Sequence, residues 1–372
     1  MKKRCLGVLA ALVLTVGFAA CQDEVPPYLV IEKIDVDEDD IHGKMIVGVT
    51  DPAEVPAHVK IPNGIVGIYY EAFKGCASLT SVTIPKSVTL LSSGAFCDCT
   101  SLKSVVIPEC VGRIGSGAFS GCSSLKNVTI ADGVKAIGGN TFRGCTSLTS
   151  VNIPKSVEEI GGVAFLDCTS LASISIPSSV TKIGDLAFDG CTSLASVSIP
   201  GSVKEIGIGA FMSCTSLVSV SIPSSVTAIG DGAFKGCASL ASVSIPNSVT
   251  EIGVNVFRDY TSLMNVTIPE NVEKIGGSAF DCCTSLASVS IPASVTAIGK
   301  GAFQDCTSLK NVTIPGSVKE IGKDAFQDCT SLKEVTFDCS KERVLNQWKT
   351  LYSKLSLRRG IVLHCTDGDL NW

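Results

Sequence analysis

The chain has 372 residues, of which 45% are hydrophobic and only 17% charged, and its formal net charge is -5. A mildly acidic chain with no basic stripe and no interleaved aromatics argues against nucleic acid as a partner. Beyond the N-terminus, no apolar run is long enough to cross a bilayer as a helix.

Residues 1–20 read as an export signal. Lys2, Lys3 and Arg4 precede an apolar stretch from Leu6 to Ala19, the order of a secretory leader rather than of a membrane span. Phe18-Ala19-Ala20-Cys21 resembles the lipobox of bacterial lipoproteins, although leucine is usual where Phe18 stands. The resemblance implies lipidation at Cys21 and a chain anchored to the bacterial outer membrane or cell surface. An ordinary leader cleaved nearby is the competing reading.

Residues 21–57 form a spacer and cap. Asp35-x-Asp37-x-Asp39 is similar to the start of a calcium loop. It lacks the glycine at the sixth place, where Asp40 stands, and the glutamate at the twelfth, where Val47 stands. A solvated spacer is the better reading, and no metal site is expected here. Lys44 to Val49 has the pattern of a short strand.

From residue 58 to 337 the chain is a repeat. Phe73, Phe96, Phe119, Phe142, Phe165, Phe188, Phe211, Phe234, Phe257, Phe280, Phe303 and Phe326 are each 23 residues apart. A fixed period in this range means a solenoid whose coils stack on their neighbours. Positions below are counted on from the phenylalanine. Leucine holds position six in all twelve coils, and valine or isoleucine holds position nine; isoleucine holds position eleven in all but the last, where Phe337 stands. Positions eight and ten are polar in almost every coil. That alternation predicts one short parallel strand per coil, buried on one face. Proline follows it in ten coils and ends it by withholding an N–H. Ala131 and Asp338 are the exceptions. The Ala-Phe-x-x-Cys segment predicts a helical turn on the opposite side. The glycine after residues such as Ile206 is expected at a sharp corner.

Eleven of the 18 cysteines lie at position three, from Cys76 to Cys329, and Tyr260 takes the remaining place. A ladder of equivalent thiols offers no unique pairing, so these cysteines read as small buried hydrophobes. Ser78 to Ser331, at position five, are expected to satisfy corner backbone groups. The histidines are His42, His58 and His364, none within the twelve repeats. Without a base beside the serine rows, an enzyme is not expected, and no cofactor motif is present.

The pattern A-F-x-x-C-x-S-L-x-x-V-x-I-P-x-x-V-x-x-I-G resembles the BspA-like class of bacterial leucine-rich repeats, with Leu194-x-x-Val197-x-Ile199-Pro200 as its strand signature. The resemblance implies an α/β-type, right-handed leucine-rich repeat superhelix with its parallel sheet on the concave side. It also implies a surface-associated bacterial protein, since relatives bind host matrix proteins such as fibronectin, or other cells. Residues 338–372 are similar to the tryptophan-bearing ends of that class and fit a C-terminal cap. A helix is expected over Ser340–Leu355, a strand over Gly360–Cys365 and a turn over Thr366–Asp369. Cys339 and Cys365 lie off the ladder and are a candidate disulfide.

On a concave sheet, positions eight and ten face outward. The candidate binding face comprises Asn127, Asn152, Ser175, Ser196, Ser198, Ser219, Ser221, Ser242, Ser244, Asn265, Thr267 and Asn311. One reading is a hydroxyl ladder that merely solubilises the sheet. The other is a protein-binding surface built on extended weak contacts. The leading expectation is a lipid-anchored adhesin. A non-adhesive envelope scaffold comes second and an enzyme last.

Overall fold

The computed structural model describes residues 25–36, 41–348, 357 and 360–370. Cys21 and the leader lie outside them, as do Leu351, Tyr352 and Leu355 of the expected C-terminal helix. The described chain is a stack of parallel-stranded coils, as the period predicts. Each coil returns to the same place one strand spacing further along. Ser196–Ser198 pairs in register with Ser219–Ser221, and Ser150–Asn152 pairs with Ser173–Ser175.

The structure adds a second strand to eleven of the twelve coils, all but the last. Residues at positions seventeen and eighteen, such as Glu205–Ile206, form two-residue strands that also pair in parallel from coil to coil. The coils thus build a broad and a narrow sheet, with the apolar side chains between them. The Ala-Phe-x-x-Cys segment is not a helical turn. It is a chain of tight turns, in which Cys191 N donates to Phe188 O at 3.2 Å and Leu194 N to Cys191 O at 3.0 Å. The residue at position two closes it with positive φ, 71° at Gly190 and 58° at Asp167.

Where proline is missing after the broad strand, the ladder gains a rung. Ala131 N donates to Ile107 O and Asp338 N to Ile314 O, each at 3.0 Å, bonds that proline cannot make. The strands concerned, including Asn127–Ile130 and Asn311–Ile314, run to four residues.

Both ends carry added strands. Leu29–Val36 and Ile41–Val49 form an antiparallel hairpin whose second strand pairs in parallel with Ile65–Ile68. At the other end, Glu334–Phe337 pairs with Val362–Cys365, which turns back through Thr366 and Asp367 onto Gly368–Leu370. The described helix of this cap is Lys341–Trp348. These segments cover coil ends that would otherwise expose core, as a solenoid requires.

The twelve phenylalanines form a continuous stack. Neighbouring ring centroids lie 5.0 Å apart at Phe73–Phe96 and 5.7 Å at Phe119–Phe142, with the planes nearly parallel. One junction stands out at 6.3 Å, between Phe234 and Phe257. Both sheets are also interrupted near it. The ten-stranded narrow sheet stops at Ala228–Ile229 and resumes as a four-stranded one at Glu251–Ile252. The eight-stranded broad sheet stops at Ser219–Ser221 and resumes at Asn265–Thr267. Residues 242–244 lie between the two and form no strand.

The position-three cysteines are buried thiols, but they are more than filler. From Cys99 onward each donates its S–H to the phenylalanine carbonyl of the preceding coil. Cys99 meets Phe73 O at 3.1 Å, Cys191 meets Phe165 O at 3.3 Å and Cys329 meets Phe303 O at 3.1 Å. Burial pushes the thiols of Cys168 and Cys237 up to about 12 from an ordinary 9.0. Corner bonds differ from expectation as well. Ser78 does donate to Val55 O, but the recurrent donors are threonine at position four and serine at position fourteen. Thr192 bonds Thr169 O at 3.3 Å, and Ser225 bonds Val203 O at 2.8 Å.

The glycines after the narrow strands serve close approach rather than an unusual backbone angle. A Cβ on Gly184 would lie 2.5 Å from Gly162 N, and one on Gly230 would lie 2.5 Å from Ile208 N. Gly201, by contrast, has nothing within 4 Å. Gly184→Ala should therefore lower stability by about 1–3 kcal/mol through overpacking, while Gly201→Ala leaves it nearly unchanged. Thermal unfolding of the two variants checks this, and equal midpoints would contradict it.

The thiol ladder predicts alkaline sensitivity. Folded thiols hold their protons to higher pH than unfolded ones. The stability they contribute is therefore complete below the unfolded value and is lost as pH rises above it. The unfolding midpoint should stay level up to roughly pH 8 and fall steeply above about pH 9. A midpoint still level at about pH 11 would rule out this linkage.

Candidate binding face

The broad strands alternate exposed and buried residues. In Ser196–Ser198 the two serines face solvent and Val197 faces the core. In-register stacking turns that alternation into rows. All twelve predicted face residues, Asn127 through Asn311, are solvent-exposed. Ten lie on paired strands, whereas Ser242 and Ser244 lie at the interruption, where Ser244 makes a single bridge to Thr267. Within the rows, Ser288 Oγ donates to Asn265 Oδ1 at 3.2 Å. Most of the hydroxyl and amide groups present donors and acceptors to solvent in a regular array.

A third row, at position seven, was not singled out from sequence. Ala172, Ala195, Val218, Ala241 and Met264 are exposed beside the serine rows. Met264 is 57% exposed and Val218 is 56% exposed. The signal was present in the repeat, as small apolar residues where other coils carry lysine. Lys103 and Lys126 occupy this row toward one end, and Lys310 and Lys333 toward the other. The seven coils from Phe142 to Phe280 have no ionisable residue at positions seven, eight or ten. The face is thus a neutral, weakly apolar strip bounded by lysines, without the Trp, Tyr or Arg that usually anchor binding.

A shallow groove opens at one edge of this strip. Asn152 and Ser175 line it together with Asp132, Lys155 and Ser178. It lies beside Ala131, in the coil where proline is replaced.

Among the described residues, chemistry-bearing groups are few and dispersed. His58 Nδ1 lies 2.8 Å from Ser81 Oγ, on the exposed rim of the first coil. This pair escaped the sequence reading because His58 occupies position eight of the coil ahead of Phe73. His364 Nδ1 pairs with Asp369 Oδ1 at 2.7 Å in the C-terminal cap, far along the stack. Asp281, Cys282 and Asp305 gather their ligand atoms within 4.8 Å. Asp281, however, is paired with Arg258 Nε at 3.3 Å and accepts from the Cys282 thiol at 3.4 Å. Burial pushes the Asp281 carboxyl up, against those two interactions. The cluster is accounted for by its guanidinium partner.

Cys339 and Cys365 stand on adjoining segments of the cap. Cys365 is in register with Phe337, and Thr366 N donates to Cys339 O at 3.1 Å. Both are half-buried thiols in the structure.

No curated protein matches the chain. Among solved structures, a leucine-rich repeat protein from Bacteroides ovatus is 26% identical, with a TM-score of 0.66, covering 92% of this chain and 99% of its own. A leucine-rich cell surface protein from Faecalibacterium prausnitzii is 28% identical, with a TM-score of 0.48, covering 88% and 96%. The pneumococcal vaccine antigen PcpA shares the fold at 18% identity, with a TM-score of 0.57, covering 87% and 95%. The family model described as a BspA type leucine rich repeat region matches residues 57–171, 135–260 and 227–348. With nearly the whole solenoid matched, the chain belongs to the BspA-type leucine-rich repeat family.

Proposed function

We propose that this chain is an exported, lipid-anchored surface solenoid that binds a protein partner through its neutral broad-sheet face, as an adhesin for host matrix proteins or other cells. The observation that carries the reading is the strip itself. Seven consecutive coils present exposed small polar and apolar side chains with no charge at positions seven, eight and ten. A strand-rich scaffold holds them in register at little further entropic cost on binding, which favours a partner that lies along many coils. Without large anchors, each contact is weak, and affinity comes from repetition. The anchor follows from Cys21 and the lipobox-like residues before it. The family supplies the general role of protein recognition, while the host-matrix partner and the surface location belong to the proposal.

The purified solenoid should bind immobilised matrix proteins such as fibronectin saturably. Charging the strip with Ser175→Glu and Ser221→Glu together, which are not register partners, should weaken that binding by about tenfold or more, with the unfolding midpoint nearly unchanged. Lys182→Glu, on the narrow sheet, should leave binding intact. Absence of saturable binding to any matrix protein removes the adhesin reading, and indifference to the double substitution removes the face. Protease treatment of intact cells tests display. A protected chain would instead favour an envelope scaffold on the periplasmic side.

A further inference from the structure

We propose that Tyr260 divides the solenoid into two stacked bodies joined by a hinge, which lies between the coils that begin at Phe211 and Phe234. Elsewhere in the stack, consecutive coils up to that of Phe303 are joined through the narrow sheet, and all but the pair at Phe234 and Phe257 through the broad one as well. At this junction both are open. Ala228–Ile229 and Glu251–Ile252 end separate sheets, and so do Ser219–Ser221 and Asn265–Thr267. Residues 242–244 are held by the one bridge from Ser244 to Thr267. The turn side stays connected. Phe211 N donates to Ala233 O at 2.7 Å, Ser213 N to Lys235 O at 2.7 Å and Gly232 N to Val254 O at 2.8 Å. Two bodies joined along one side and open along the other form a hinge with its axis on the turn ridge.

Tyr260 explains the place of the opening. It stands where eleven coils carry a cysteine, and the same coil has Val256 where alanine usually precedes the phenylalanine. Both changes add volume to a close-packed layer. The tyrosine ring meets Phe257 edge-on, at 5.5 Å and 81°, and the neighbouring Phe234–Phe257 spacing is the widest in the stack at 6.3 Å. The thiol bonds that flank it, Cys237 to Phe211 O and Cys283 to Phe257 O, are both present at 3.2 and 3.3 Å. Tyr260 has no S–H to offer Phe234 O. Its hydroxyl is fully buried beside the Cys237 thiol, one coil back toward the N-terminus, yet meets no partner with hydrogen-bond geometry. The ring thus presses on the coil of Phe234, on whose far side the sheets part, with its hydroxyl buried beside the Cys237 thiol.

Amide exchange on the full chain tests this. In the wild type, residues 219–221, 228–229, 242–244 and 251–252 should exchange at least about tenfold faster than their equivalents at 173–175 and 288–290. Y260C restores both volume and S–H donor and should slow the junction to the rate of the other coils. Y260F keeps the ring and should leave the junction fast. Uniform exchange along the wild-type repeats overturns the hinge, whatever the variants do. A fast junction that Y260C leaves unchanged overturns the role of Tyr260.

Discussion

The distance between adjacent coils is the constraint on which the rest of this molecule depends. Parallel strands hydrogen-bond at about 4.7–4.9 Å, and every layer of the coil must fit that step. The phenylalanine stack accepts it with ring spacings near 5 Å. The glycine row accepts it by having no side chain where the backbone of one coil meets that of the next. The cysteines accept it with a side chain small enough for the layer and able to bond the carbonyl above. A residue at any of these rows is therefore judged by the step, and a larger one is felt in both neighbouring coils.

This constraint separates scaffold from surface. Phenylalanine, cysteine, leucine, valine, isoleucine and the glycine after the narrow strand are committed to the step. Positions seven, eight and ten lie outside it, and their side chains vary among Ser, Asn, Thr, Ala, Val, Met, Lys and Glu. Variation on an exposed face, in a repeat whose core positions are almost invariant within the chain, is where recognition has room to act. The charge boundary made by Lys103, Lys126, Lys310 and Lys333 sets limits to a strip that the repeat alone would make endless.

Much of the architecture could be read from the sequence, because the period is unbroken and the alternation around Val197 and Ile199 is plain. The phenylalanine spine follows from spacing alone. The second strand, Glu205–Ile206, was harder to see, since two residues carry no alternation to read. The glycine after Ile206 reads in sequence as a corner, but its reason is the neighbouring coil, whose backbone touches it in space although it lies far away in sequence. The thiol role was hidden for a related cause. Sequence shows that a cysteine is buried, but not which carbonyl its S–H meets. The face residues were found by alternation, while the Ala172–Met264 row beside them was missed because small apolar residues in a repeat look like core.

The cysteine ladder also sets a problem of timing. If the chain is exported into an oxidising compartment, its position-three thiols are safe only once the coils above and below have closed over them. Until then, an unstacked chain presents a row of equivalent thiols at even intervals, and nothing keeps oxidation from stapling coils that are not neighbours. Closure of the stack and escape from oxidation are one event, so this repeat is under pressure to zip quickly from coil to coil. Each coil meets only its neighbours, so closure can spread along the stack one coil at a time.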